Sequence, residues 1–171
     1  MPPIEKLIGN AHKFGDDINT DLIISGRYKF KTINEEELAR HVMEDIDPEF
    51  YKKIKKGDFI VAGKNFGCGS SREQAPIAIK YAGISAVIAK SFARIFFRNA
   101  INIGLLVIEC EHTDKIDDND LIEIDLRNGS IFDRTKNLTF RIRRLPKVML
   151  HILEDGGLVE HFRKHGGFKL E

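Results

Sequence analysis

The chain has 171 residues, 42% of them hydrophobic and 31% charged, which suits one packed core and excludes a disordered or fibrous protein. Lys plus Arg total 27 against 26 for Asp plus Glu, so no overall field attracts nucleic acid or an acidic membrane, and any charged ligand must be met locally. No stretch approaches the roughly 18 apolar residues of a membrane span, and Met1-Pro2-Pro3-Ile4-Glu5 lacks the pattern of a signal peptide, which makes the cytoplasm the expected location.

Leu7 to Phe14 reads as a strand, and the polar run Gly15 to Asp21 as a turn before the buried stretch Leu22-Ile23-Ile24. Glu35 to Glu44 is the first expected helix, because Leu38, Val42 and Ile46, flanked by Ala39 and Met43, make one apolar stripe. Asp47-Pro48 then ends it. Lys52, Lys53, Lys55 and Lys56 form the densest basic run, read as a solvated surface before the Gly57-Asp58 turn. Phe59 to Gly63 is a short apolar strand. Ile84 to Ala89 is another, followed by a helix that Ser91 is expected to cap and that presents Phe92, Ile95, Phe96 and Asn99 on one face. Gly104 stops that helix, and Leu105 to Ile108 is a third buried strand.

Strand, helix, strand, helix, strand is the signature of a parallel βαβ sheet, and the fold class is therefore α/β. The rest of the chain changes character. Leu121 to Leu126 alternates, Asn128-Gly129 is a hairpin turn before Ser130 to Phe132, and β structure continues to about Ile142. Pro146 opens a last helix through Leu153, closed by Gly156-Gly157. Nothing marks a repeat or a composition break, and residues 1–171 are read as one domain.

Between the Phe59 strand and the next helix lies Gly63-Lys-Asn-Phe-Gly-Cys-Gly-Ser-Ser-Arg-Glu-Gln74. Gly67 and Gly69 permit a tight turn with close approach of backbone N–H groups to a ligand. Ser70 with Glu73, or Ser71 with Gln74, fits a capping box that sets the hydroxyls and Arg72 at a helix start, although Pro76 argues for an irregular first turn. A phosphate loop would end in Lys followed by Ser or Thr, and a dinucleotide fingerprint would have a third glycine in register; neither is present. A plain helix cap with surface serines is the simplest alternative. An arginine fork can hold a carboxylate, and a serine with cationic and N–H neighbours can serve as a base.

The segment GKNFGCGSSREQAPIAIKYAGISAVIAKSFARIFFRNAINIGL resembles the small subunit of the isopropylmalate isomerase and homoaconitase branch of the aconitase superfamily, and KFGDDINTDLIISGRY resembles that family's N-terminal motif. The likeness runs from about Leu7 to about Phe162. It implies a swivelling β/β/α domain, with the parallel layer extended by β-barrel-like strands, that closes over a large subunit carrying a 4Fe-4S cluster. The family reaction dehydrates and rehydrates a hydroxy dicarboxylic or tricarboxylic acid. Carried onto this sequence, Ser70 matches the base, while Ser71 and Arg72, with the N–H groups near Gly69, match groups that hold the substrate. Asp21 either orients one of them or is a structural turn aspartate.

The family tunes substrate choice in the loop that here reads Arg27-Tyr28-Lys29-Phe30-Lys31-Thr32, where homoaconitase-like members carry an arginine at the position of Phe30. Phe30 favours an alkyl substituent, and the doubled lysine matches neither common pattern. Isopropylmalate is the first expected substrate, with dimethylmalate, citramalate or methylmalate, and homoaconitate as alternatives. The cluster takes three cysteines in this family, whereas the chain has two, Cys68 and Cys110. The chain is therefore expected to bind no cofactor or metal itself and to depend on its large subunit, with neither nucleic acid nor membrane as a partner. A stand-alone anion- or nucleotide-binding module is the competing reading.

Overall fold

A computed structural model of the chain describes residues 5–28 and 34–170. Lys29, Phe30 and Lys31, expected at the substrate, lie outside the described residues. The strands are β1 (Lys6–Lys13), β2 (Phe59–Ala62), β3 (Ala86–Ala89), β4 (Leu106–Glu109), β5 (Leu121–Asp125), β6 (Ser130–Asp133) and β7 (Leu138–Arg141). They form one seven-stranded sheet in the order β4-β3-β2-β1-β5-β6-β7. β1 is shared by two unlike halves: Ala11, His12 and Lys13 pair in parallel with Phe59, Ile60 and Val61, whereas Lys6 to Asn10 pair antiparallel with Asp125 back to Leu121.

The parallel half is covered on both faces. Every residue of β2 and β3 is buried, as are Leu106, Val107 and Ile108, which is why the sequence there is continuously apolar. In the antiparallel half, Ile122, Ile124 and Ile131 point inward and their neighbours do not, the alternation of a sheet with one wetted face. The expected α/β architecture, a parallel layer extended by further strands, is the one observed.

Helices α1 (Thr20–Ile23), α2 (Glu35–Arg40) and α3 (Phe50–Lys53) precede β2; α4 (Gln74–Tyr81) links β2 to β3, and α5 (Arg94–Asn102) links β3 to β4. Parallel crossovers place the carboxyl ends of their strands at one edge, where α/β sheets receive ligands. α6 (Lys147–Glu154) begins after Pro146 as expected, and α7 (Leu158–His165), not expected from the sequence, completes the chain.

Five local expectations are corrected. The helix at Glu35 ends at Arg40 because the Met43 N–H bonds to Ile23 O, 2.8 Å away, and Met43 takes a φ of 55°. Ile46, assigned to the buried stripe, is 40% exposed. Neither capping box forms at α4, whose cap position is Glu73 with no side-chain bond; Pro76 falls in the first turn, where a missing N–H costs nothing. Ser91 does not cap α5. Its Oγ accepts the Asn65 N–H at 2.8 Å. Finally, the β5–β6 turn spans the four residues Leu126 to Gly129 rather than two.

Candidate active site

The glycine-rich segment leaves the carboxyl end of β2 and is held on both sides by backbone bonds. Along one side Asp17 N donates to Lys64 O (2.8 Å), Gly67 N to Ile18 O (2.7 Å) and Thr20 N to Cys68 O (2.8 Å). Along the other, Phe66 N donates to Ser91 O (3.0 Å) and Ala93 N to Phe66 O (2.9 Å). Phe66 is fully buried, its ring edge-on to Phe92 and Phe96. Gly67 has a φ of 82°, and a Cβ there would run into the Phe96 ring, so both backbone and space require glycine. At Gly69 only the backbone does: φ is 93°, while the nearest atom to an added methyl group, Asn19 Cβ, would lie at an ordinary 3.5 Å.

This frame presents Ser70, Ser71 and Arg72. Ser70 and Ser71 are exposed; the Arg72 side chain is only 14% exposed and spans several partners. Its Nε donates to Ser70 Oγ (3.1 Å), its Nη1 to Ile24 O (3.2 Å), and its Nη2 pairs with the Asp21 carboxylate in the first turn of α1. Asn19 fixes that turn by accepting the Leu22 N–H at 3.0 Å. Thr20 Oγ1 donates to Ser70 O (2.8 Å) and stands 3.5 Å from Ser70 Oγ. Contacts across some 48 residues of chain therefore bring Asp21, Ser70 and Arg72 together.

A cavity of about 220 Å³ opens here, lined by Gly69, Ser70, Ser71 and Arg72 on one side and by Arg94, Ile95 and Asn99 on the other. Tyr28 is not part of its lining. Its ring stacks on His41 at 3.9 Å, and the Glu44 carboxylate bonded to its hydroxyl holds the phenol above its ordinary pKa. Sequence reasoning missed Thr20, Arg94 and the site role of Ile95. Thr20 adjoins Asp21 and its hydroxyl was a visible signal. The face expected to join Phe92, Ile95, Phe96 and Asn99 is split, since Phe96 is buried whereas Ile95 is 53% exposed and lines the cavity.

An iron–sulfur cluster does not fit this chain's residues. Such clusters are held by thiolates. Cys68 lies in the loop itself, and Cys110 is buried, its thiol pushed up by that burial. Among the described residues the only close group of three metal-ligand side chains is Asp155, His161 and His165, which contains no cysteine. Both ring nitrogens of His161 are already engaged, Nδ1 with Asp155 (2.8 Å) and Nε2 with the Lys169 N–H (3.0 Å). No described helix is long and apolar enough to cross a membrane.

The carboxyl edge of the parallel sheet presents a serine against a nearly buried arginine, and residues 12–113, which include both, match the aconitase C-terminal domain family. That span contains Asp21 and the whole Ser70 segment. The chain is 59% identical over 165 residues, 96% of its length and 99% of the relative's, to 3-isopropylmalate dehydratase small subunit 2 of Archaeoglobus fulgidus. It is 56% identical to the 3-isopropylmalate dehydratase small subunit of Halothermothrix orenii, over 96% of this chain and 98% of that one. A crystal structure of 3-isopropylmalate dehydratase from Methanocaldococcus jannaschii superimposes with a TM-score of 0.90 at 55% identity, covering 94% and 95% of the two chains. The chain belongs to the family of 3-isopropylmalate dehydratase small subunits.

Proposed function

We propose that the 171 residues act as one swivel domain, the small subunit of a cytoplasmic hydro-lyase that interconverts 2-isopropylmalate and 3-isopropylmalate when paired with its large subunit. In this reading Ser70 takes the carbon-bound proton, and Arg72, with Ser71 and the N–H groups near Gly69, holds a substrate carboxylate. The bond from Arg72 Nε to Ser70 Oγ carries the assignment. A guanidinium only donates, so the serine oxygen accepts, and a cation aimed at that oxygen favours its deprotonated form. Each terminal nitrogen of Arg72 still has an N–H to give a carboxylate. Proton removal beside a carboxylate builds negative charge, which Arg72 stabilises more in the transition state than in the ground state.

Asp21 positions Arg72 by pairing with Nη2. The cluster belongs to the large subunit, and the steps assigned to this chain stop at binding and proton removal. Ile95 gives the cavity an apolar wall opposite Ser70, and Phe30 brings no charge for a further carboxylate, both of which suit an alkyl-substituted acid. The test is reconstitution. Purified alone, the chain is expected to be colourless and inactive, and to yield dehydratase activity on mixing with a cluster-loaded large subunit. In a panel of isopropylmalate, dimethylmalate, citramalate and homoaconitate, isopropylmalate should give the highest kcat/KM. A preference for homoaconitate would assign Lys29 or Lys31 to the additional carboxylate, and tight nucleotide binding by the isolated chain would replace the enzyme reading altogether.

A further inference from the structure

Beside the Ser70 cavity lies a larger cleft, of about 510 Å³, that the proposed chemistry does not use. Its rim carries Arg94 and Arg98, one helical turn apart on α5, and Arg143 and Arg144, just beyond β7; Phe92 and Phe97 contribute to an apolar floor. Glu109, the last residue of β4, is the one carboxylate in this lining, and it pairs with Arg143 at 3.2 Å. Arg144 donates to the neutral Asn128 carbonyl at 3.2 Å. Arg94 and Arg98 form no ion pair or side-chain hydrogen bond with any described residue. Local physics disfavours this arrangement: like charges four apart on a helix repel, and a cation at the first residue of α5 faces the positive end of the helix dipole. In a chain of net charge +1, this is a concentrated positive surface in which four arginines share one internal counterion, Glu109.

We infer that this cleft is the docking surface for the large subunit, and that it receives an acidic segment of that subunit bearing an apolar side chain. The inference rests on the two-subunit reading above. Arg94 lines both the cleft and the Ser70 cavity, so a chain that covers Ser70 reaches the cleft without leaving the surface. Glu109 puts the cleft at the same carboxyl edge of the parallel strands that delivers the Ser70 segment. An acidic partner segment supplies the missing counterions, and an apolar side chain on it covers the aromatic floor. A nucleic acid would satisfy the arginines and leave the rings unexplained.

The experiment titrates the full-length chain into cluster-loaded large subunit and reads Kd by sedimentation as well as by recovered activity. Arg98→Glu and Arg144→Glu are each expected to raise Kd by about tenfold or more, with kcat at saturation kept within about twofold of the parent value. Arg98→Lys, which keeps the charge, should pair almost normally, and added salt should weaken the parent complex more than the Arg98→Glu complex. Should Arg98→Glu melt early, Arg98→Gln takes its place with a smaller rise. Unchanged Kd in folded variants overturns the docking surface and leaves the functional reading intact. Failure of the parent chain to pair at all overturns both. If the variants pair normally but lose binding to a labelled single-stranded oligonucleotide, the arginines serve nucleic acid and the inference fails.

Discussion

The two halves of the sheet share β1 and handle charge in opposite ways. In the parallel half the interior of β2, β3 and β4 is apolar, the buried Asp58 before β2 is matched by His12 at 2.7 Å, and at the carboxyl edge Arg72 and Arg94 retain hydrogen-bonding capacity for a partner. In the antiparallel half a carboxyl group is buried outright. Asp133, at the end of β6, has no exposure; its Oδ1 accepts the Lys136 N–H at 3.1 Å, and its Oδ2 finds no donor unless a proton is shared with Asp120. Lys136 Nζ closes the cluster by pairing with Asp117 (2.6 Å) and Asp120 (3.2 Å). Charge at the parallel edge is left open to a ligand, whereas charge in the antiparallel half is used up by the chain itself. Substitutions at the first should therefore change turnover, and at the second stability.

The largest effect is expected at Ser70. Ser70→Ala removes the proposed base and should cut turnover of the reconstituted enzyme by about a thousandfold or more, the range for a general base, while melting temperature and Kd for the large subunit stay put. Near-normal turnover would remove Ser70 from the chemistry.

Gly67 and Gly69 sharpen the contrast within the edge itself. Gly67→Ala must place a methyl group in the Phe96 ring from a backbone at positive φ, and should cost about 3 kcal/mol or more. That corresponds to a fall of roughly 10 °C in melting temperature for a chain of this size. Gly69→Ala meets only the backbone penalty and should cost about 1–2 kcal/mol. Equal losses at the two sites would mean that the contact with Phe96 is not what holds the segment.

The antiparallel half is tested by pH. Burial, and then the neighbouring Asp120 carboxylate, push Asp133 up to about 6 from an ordinary 3.8. Because the folded state binds this proton more tightly than the unfolded chain does, stability is greatest below about pH 4 as far as this group is concerned, and declines as pH rises through 6. The decline should be on the order of 2 kcal/mol. Asp133→Asn keeps the shape and an N–H donor for Asp120, so it should flatten the melting curve between about pH 4 and 6 and leave the protein more stable at pH 7. An unchanged pH slope would place the proton elsewhere.

The contrast between the halves also explains which features can be read from the sequence. The buried parallel strands announce themselves as apolar runs, and the hairpin strands as alternation, because both signals are local. The segment from Gly63 to Gln74 is legible for the same reason: its glycines, hydroxyls and arginine stand side by side. What the sequence does not reveal depends on long-range bonds. The Glu35 helix stops early because Met43 is claimed by Ile23 O, and the Ser70 capping box fails because Ser70 Oγ is taken by Arg72 rather than by a helix N–H. Thr20 meets Ser70 across the fold, and Ile95 faces a cavity that exists only once Gly67 packs under Phe96.

The smallest expected effect lies at Asp21, and it decides between the two roles open to that residue. The Asp21 side chain is 62% exposed, so its pairing with Arg72 is screened by water and salt. Arg72 keeps its bonds to Ile24 O and Ser70 Oγ when Asp21 is neutralised, and a solvent-facing pair contributes up to about 1 kcal/mol. Asp21→Asn should therefore raise KM by no more than about fivefold, leave kcat nearly unchanged, and lose even this effect at high ionic strength. A fall in KM would mean that Asp21 competes with the substrate carboxylate for Arg72 instead of orienting it. A collapse in kcat at constant KM would mean that Asp21 meets the reacting atoms, a role that its exposed position at the outer end of the guanidinium does not suggest.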